Sequence, residues 1–581
     1  MSTSRLKQPS SLRIGASLGR HQPAVDLALT EMDGQDIIRR IWDHDPTVWR
    51  QDPTEISNRL GWLHLPGSMA SSSPALHTFA AELAGAGFSH VLLLGMGGSS
   101  LAPEVFASVF GLDSAQPPAG PALRLQVLDS THPDAVLAKT AAFDPARTLY
   151  IVSTKSGGTV ETFSFLRFFY NQVESALGKG QAGAHFAATT DPGSKLAEVA
   201  QAYNFRRTFL NDPTIGGRYS ALSFFGLAPA ALVGVDVARL LEQASAAAAA
   251  CRRRANNPAA RLGAILAELA KQGRDKVTFV ISPDLASFGD WVEQLIAEST
   301  GKEGKGILPV VGEALGRPES YGPDRLFVQI KLAGDAGHDA GLRRLARAGH
   351  PLVRIDLNDR YELGAQFFLW EMATAVAGHR LDIQPFDQPN VESAKVLARK
   401  MVAAFQETGS LPPEQPAFSD ESTDVFGSWP VTRRPLRAAA DVLIDFLRQV
   451  EAGDYLALQA YVQPTPAIAA ALADLRQRLR QRYHTATTVG FGPRFLHSTG
   501  QLHKGDAGRG LFLQFTDVAS ATVAIPDEAG APASSISFAV LVLAQALGDR
   551  QALVDNQRRV LRFHFRGDAE AGLRRLAAAL G

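Results

Sequence analysis

The chain has 581 residues, 58 basic and 58 acidic side chains, 45% hydrophobic and 20% charged residues, so it can bury several cores and carries no charge excess for a polyanionic partner such as nucleic acid. Cys251 is the only cysteine, which excludes internal disulfides and cysteine metal clusters and fits a reducing compartment. The first thirty residues are polar, and no apolar run reaches the roughly eighteen residues of a membrane span, so the expectation is a cytoplasmic protein with no membrane partner.

In chain order, residues 1–75 read as a helical segment, because "DGQDIIRRIW" (33–42) and "TEISNRLGWL" (54–63) repeat apolar residues at three- and four-residue spacings. Residues 76–262 change rhythm. The runs at 90–97, 123–130, 148–156 and 184–191 are continuously apolar, end in turn formers and read as strands buried on both faces. Helix-length segments separate them, which predicts a doubly wound parallel sheet. Runs at 275–283, 325–332 and 350–358 predict a second α/β unit over 263–406. Residues 407–436, rich in proline, serine and acidic side chains, read as a linker. A C-terminal α/β region, 437–581, follows. There "GLFLQFTDVASATVAIPD" and "SSISFAVLVLAQALGD" echo "RLFVQIKLA" and "YELGAQFFLWEMATAVAGH" of the second unit, as an internal repeat would.

Ligands of open parallel sheets bind at the carboxyl ends of the strands. "GMGGSS" (95–100) and "STKSGGT" (153–159) put small residues between a strand and a helix, where free N–H groups and the helix dipole favour an anion, and Lys155 would add charge. A partial dinucleotide fingerprint is the alternative for the first loop, but position 100 is serine. A plain tight turn is the alternative for either loop taken alone. Arg218 follows two glycines. Glu298 and Gln294 share a helix face, and a desolvated carboxylate there could serve as a base, although pairing with Lys302 on the surface is the simpler reading. Gln388 and Lys395 flank a turn and a helix start.

"GMGGSSLAPE", "STKSGGTVET", "IGGRYSALS", "AESTGKEGKG" and "FDQPNVESAK" stand in the order of the motifs of phosphoglucose isomerase, so residues 90–400 resemble that family. The resemblance implies two doubly wound sugar-isomerase (SIS) subdomains plus a C-terminal α/β extension. It also implies interconversion of glucose 6-phosphate and fructose 6-phosphate, with no metal or cofactor. By position, Thr154, Lys155, Ser156 and Thr159 match the phosphate loop, and Gly98 and Ser99 close the sugar site. Glu298 matches the base that moves a proton between C1 and C2, and Arg218 the cation that stabilises the enediolate. Gln294 and Gln388 match lining glutamines, and Lys395 a lysine near the ring oxygen.

The family's ring-opening histidine, in a His-Ser-(apolar)-Gly-Gln segment, has no counterpart in "LGRPESYGPDRL" (315–326). "LHSTGQLHKG" (496–505) has that form, so His497 is the candidate, while His503 and Lys504 read as a solvated turn. The tail and the start of the chain resemble the isomerase part of fused transaldolase/phosphoglucose isomerases. Too few strand–helix repeats remain for a transaldolase barrel. The resemblance further implies a homodimer whose sites share a histidine. Two alternatives stand beside this reading: an isomerase that also takes mannose 6-phosphate, and a non-catalytic sugar-phosphate-binding module.

Overall fold

The computed structural model of the chain describes residues 9–430 and 435–581. A short strand β1 (Gly15–Ser17) precedes the first sheet, built of β2 (His90–Gly95), β3 (Arg124–Leu128), β4 (Thr148–Ser153), β5 (Phe186–Thr190) and β6 (Arg207–Leu210). The order is β3-β2-β4-β5-β6 and every pairing is parallel. All six residues of β4 are buried, as the unbroken apolar run requires of a strand covered on both faces.

The second sheet contains β7 (Lys276–Ile281), β8 (Leu308–Val310), β9 (Arg325–Leu332) and β10 (Leu352–Leu357), in the order β1-β10-β9-β7-β8. Its edge strand β1 runs antiparallel to β10, so residues 1–75 are not purely helical and complete the second unit's sheet. "TEISNRLGWL" is also no helix. It forms turns and the 3₁₀ segment Gly61–His64, with Ile56, Leu60 and Trp62 buried by tertiary packing rather than along one helical face.

The third sheet collects β11 (Phe418–Ser419), β12 (Thr423–Gly427), β13 (Tyr455–Tyr461), β14 (Ala486–Phe491) and β15 (Gly510–Asp517). A small hairpin, β16 (Ala524–Ile525) with β17 (Ile536–Ser537), precedes its last strand, β18 (Arg559–Phe565). The order is β11-β12-β18-β15-β13-β14. The expected linker is therefore largely structural: residues up to Thr408 finish a helix and 418–427 supply two antiparallel edge strands, while 431–434 lie outside the described residues. The strand half of the sequence echo holds, since β9 and β15 occupy the same place in their sheets. The helix half does not. Leu363–Arg380 follows the fourth strand of its unit, whereas Phe538–Asp555 precedes it.

One large core runs through the first two units and the N-terminal segment, and a separate core lies within the third. The joint between second and third units has its own apolar filling, with Leu308 and Val310 against Ala486, Leu502 and Phe512.

Candidate active site

The first loop follows β2. Gly97 adopts φ +53°, and a Cβ there would lie 2.8 Å from the His497 carbonyl oxygen and 2.9 Å from Gln294 Nε2. At Gly98 a Cβ would meet the Gly217 carbonyl oxygen at 2.1 Å. Both glycines are thus needed where three segments converge. Ser99 is buried and its carbonyl accepts from Ser153 Oγ at 3.1 Å, which ties the first loop to the end of β4.

The second loop ends at the helix Val160–Leu177, whose first N–H groups have no side-chain cap. Thr154 and Thr159 hydroxyls are 2.9 Å apart, and Gly158 N–H donates to Ser156 Oγ at 3.3 Å. Such a loop and free helix N-terminus suit a phosphate. Lys155 is placed differently from the sequence reading: its ammonium pairs with Asp191 and donates to the Pro213 carbonyl at 3.0 Å. Its charge is paired within the protein, and the groups of the loop without a charged partner are backbone N–H and hydroxyls.

Arg218 is buried and fully engaged. Nε donates to Ser299 Oγ (2.8 Å), Nη1 to Gln388 Oε1 (2.9 Å), and Nη2 to the Pro385 and Asp387 carbonyls (2.6 and 2.9 Å). Nη1 also lies 3.1 Å from Glu298 Oε1. Glu298 therefore pairs with Arg218 and not with Lys302, as the simpler sequence reading would have it. It sits near the end of the helix Phe288–Thr300, where the guanidinium at its side fixes the carboxylate in direction. Gln294, one turn back, donates through Nε2 to Glu298 Oε2 (3.0 Å) and to the His497 carbonyl (2.7 Å).

His497 closes the 3₁₀ turn Arg494–His497, and its Nε2 lies 3.0 Å from Glu161 Oε1. The same oxygen accepts from Gln545 Nε2 at 2.7 Å. Burial pushes the Glu161 carboxyl up, but the hydrogen-bonded His497 and nearby Lys395 more than offset it and hold it below the usual carboxylate range. Ser156, Thr159, Glu161, Lys395, His497 and Gln545 line one cavity of about 490 Å³. Arg218, Glu298, Gln294 and Gln388 form a second bonded group. His497 and Gln294 join the two.

Sequence reasoning missed several supports. Glu161 stands two residues after the loop, inside "TVET", where a carboxylate at a helix start looks like an ordinary dipole partner. Lys302 is buried, and its ammonium donates to the Gln384 carbonyl (2.8 Å), the Asp387 carbonyl (2.7 Å) and Asp387 Oδ1 (2.7 Å), bracing the segment that carries Gln388. Gln501 donates to the Gly301 carbonyl (2.9 Å) and accepts from Asn390 N–H (2.8 Å). Arg494 Nη2 pairs with Glu104, and the guanidinium stands 3.4 Å from Asp129 and 3.5 Å from Asp290. His503 and Lys504 are no solvated turn. Both are buried, Lys504 bonding Asp549 Oδ1 at 2.6 Å, and burial pushes the His503 imidazole well below its usual range.

Residues 79–306 match the family model of phosphoglucose isomerase. A glucose-6-phosphate isomerase of Carboxydothermus hydrogenoformans is 29% identical over 58% of this chain and 83% of its own length. One of Rubrobacter xylanophilus is 28% identical over 63% and 94%. Among solved structures, a hypothetical protein from Thermus thermophilus superposes with a TM-score of 0.58 at 24% identity, over 67% of this chain and 100% of that one. A glucose-6-phosphate isomerase from Chlamydia trachomatis gives 0.54 at 18% identity, over 66% and 86%. These two likenesses speak for the fold. The matched span begins before the first glycine loop and ends past Glu298, so it contains the loops, Arg218 and the carboxylate that the structure brings together, and it is over these residues that the chain is similar to the phosphoglucose isomerases.

Proposed function

We infer that this chain interconverts glucose 6-phosphate and fructose 6-phosphate, and we propose how its residues divide the work. The observation that carries the mechanism is the pair of buried Arg218 and half-buried Glu298 at 3.1 Å, linked through Gln294 to the segment of His497. The proton next to a sugar carbonyl is weakly acidic, so its removal needs a positioned carboxylate and a fixed cation where negative charge develops. Glu298 is the base between C1 and C2, and Arg218 stabilises the enediolate. The loop of Thr154, Ser156 and Thr159 holds the phosphate, remote from the reacting carbons, and so contributes orientation. His497, fixed by Glu161, opens the ring, with Lys395 on the same cavity. Gly98, Ser99 and Gln388 shape the sugar pocket.

Binding of phosphate alone requires neither Glu298 nor Arg218, and that argues against a passive binding module. A pocket that also admits mannose 6-phosphate is a second reading for which no residue speaks specifically. The chain is proposed to work in the cytoplasm on a free hexose phosphate. No helix among the described residues is long and apolar enough to cross a membrane.

Coupled turnover of fructose 6-phosphate tests the base. Glu298→Gln lowers kcat by about 10²–10⁴-fold, the range for loss of general-base catalysis, and equal activity in both proteins refutes the assignment. His497→Ala slows turnover of the cyclic sugar while leaving the binding of a phosphorylated sugar acid nearly unchanged. A variant as fast as wild type would remove His497 from the mechanism.

A further inference from the structure

The second and third sheets share one plan. With strands counted from the start of each unit, both run 2-1-3-4 as parallel neighbours with one more strand antiparallel to the fourth: β8-β7-β9-β10-β1 and β14-β13-β15-β18-β12. The first sheet has the 2-1-3-4 order too, but its fifth strand, β6, is parallel. In the second unit the helix between strands 1 and 2 carries Glu298, and the connection between strands 2 and 3, residues 311–324, has no histidine. In the third unit the corresponding helix, Pro466–Tyr483, ends "RQRLRQRY" without a carboxylate, and the corresponding connection, residues 492–509, carries His497.

The two units also meet reciprocally. Gln294 of the Glu298 helix donates to the His497 carbonyl at 2.7 Å, and Gln501 of the third unit's connection donates at 2.9 Å to the carbonyl of Gly301, which caps that helix. Across the joint, Arg476 of the helix Pro466–Tyr483 donates to the Val311 carbonyl at 2.7 Å. Gly322 N–H of the second unit's connection donates at 3.0 Å to the carbonyl of His484, which caps that helix. Each helix end rests on the other unit's connection, the self-complementary pattern of two copies about a twofold axis. Chemically the two positions differ. One adjoins the 490 Å³ cavity through His497. At the other, Glu313 is held by Arg325 at 3.2 Å and approached by Arg480 at 3.6 Å, with Arg480 also 3.4 Å from Tyr321 Oη.

We propose that the third unit is a duplicate of the second that stands in for the second unit of another copy. Each chain then builds one complete isomerase site by itself, with a closed ionic joint where the symmetry-related site would lie. Glutamate has been kept in one repeat and histidine in the other. The proposal rests on Glu298 as base and His497 as ring-opening acid.

Co-expression of Glu298→Gln with His497→Ala tests it. Activity of the mixed preparation stays within twofold of the average of the two variants if every site is built within one chain. Were histidines exchanged between copies, half-repaired pairs would restore about a quarter of wild-type activity by random pairing, and that recovery would overturn the proposal. A second measurement is independent of catalytic roles. Cysteines at Glu161 and His497, in a Cys251→Ser background, are joined with a short bismaleimide. The expected product migrates as a single chain on a denaturing gel, and a product of doubled mass, or none within the chain, counts against the proposal. Single variants that kept full activity would sink the role assignment alone, because the cross-link still reports which chain supplies the histidine.

Discussion

Lys302 has two opposite dependences on pH. Burial and the nearby Arg218 push its pKa down to about 8, against the pull of Asp387. Above that pH the ammonium loses its charge, and the segment that carries Gln388 and receives Arg218 loses its brace. We expect kcat/KM to fall above pH 8, and Lys302→Arg, whose guanidinium stays charged, to move the fall upward in a pH–rate profile. Stability runs the other way. Between about pH 8 and 10.4 the unfolded chain holds the extra proton, so folding stability rises with pH through that window. In Lys302→Met the urea midpoint should lack this rise. At this scale the sequence was legible where residues sit in spaced motifs, as Arg218, Glu298 and Gln388 do. The partner of Lys155 was not legible, because a lysine in a phosphate-like loop says nothing of Asp191, which pairs with its ammonium.

Among elements, the short 3₁₀ turn Arg494–His497 is anchored by its buried Phe495 and Leu496 and oriented by charge. Arg494 reaches Glu104 on the helix after the first glycine loop, Asp129 after β3 and Asp290 on the helix of Glu298. Arg494→Met therefore loosens His497 relative to the base. The expected result is a fall in kcat of about 10- to 100-fold with KM changed less than threefold, in keeping with misplacement of a catalytic group by about an ångström. A matching rise in KM would point to collapse of the phosphate loop instead. Gly98→Ala should be inactive or unstable, since its Cβ has no room against Gly217, and thermal unfolding separates the two outcomes. The long strands of the first two units were readable from their apolar runs, whereas β13 and β18 of the third were not picked out. Nor were the short β6 and β8, because three or four residues give no period to count.

For the whole molecule, alternation of strand and helix was enough to read the α/β class, and the echo of β9 in β15 pointed to repetition. Reciprocal packing of the repeats was not readable, as it depends on contacts between residues about two hundred positions apart, such as Gln294 with His497. A site built within one chain makes specific activity independent of protein concentration. Dilution from micromolar to nanomolar, followed by immediate assay, should leave it constant, whether or not copies associate through other surfaces.

The helix that bears Lys395, Val391–Thr408, packs against Phe538–Asp555 so closely that a Cβ at Gly548 would lie 2.7 Å from the Ala398 nitrogen. Backbones in such contact open together or not at all, so the amide hydrogens of 391–408 should exchange at rates that follow the third unit rather than the second. Gly548→Val would wedge the pair apart, at a cost of about 1–3 kcal/mol for overpacking. Faster deuterium uptake should then spread along both helices at once, carrying the lysine out of register with the cavity before the glutamate helix is disturbed.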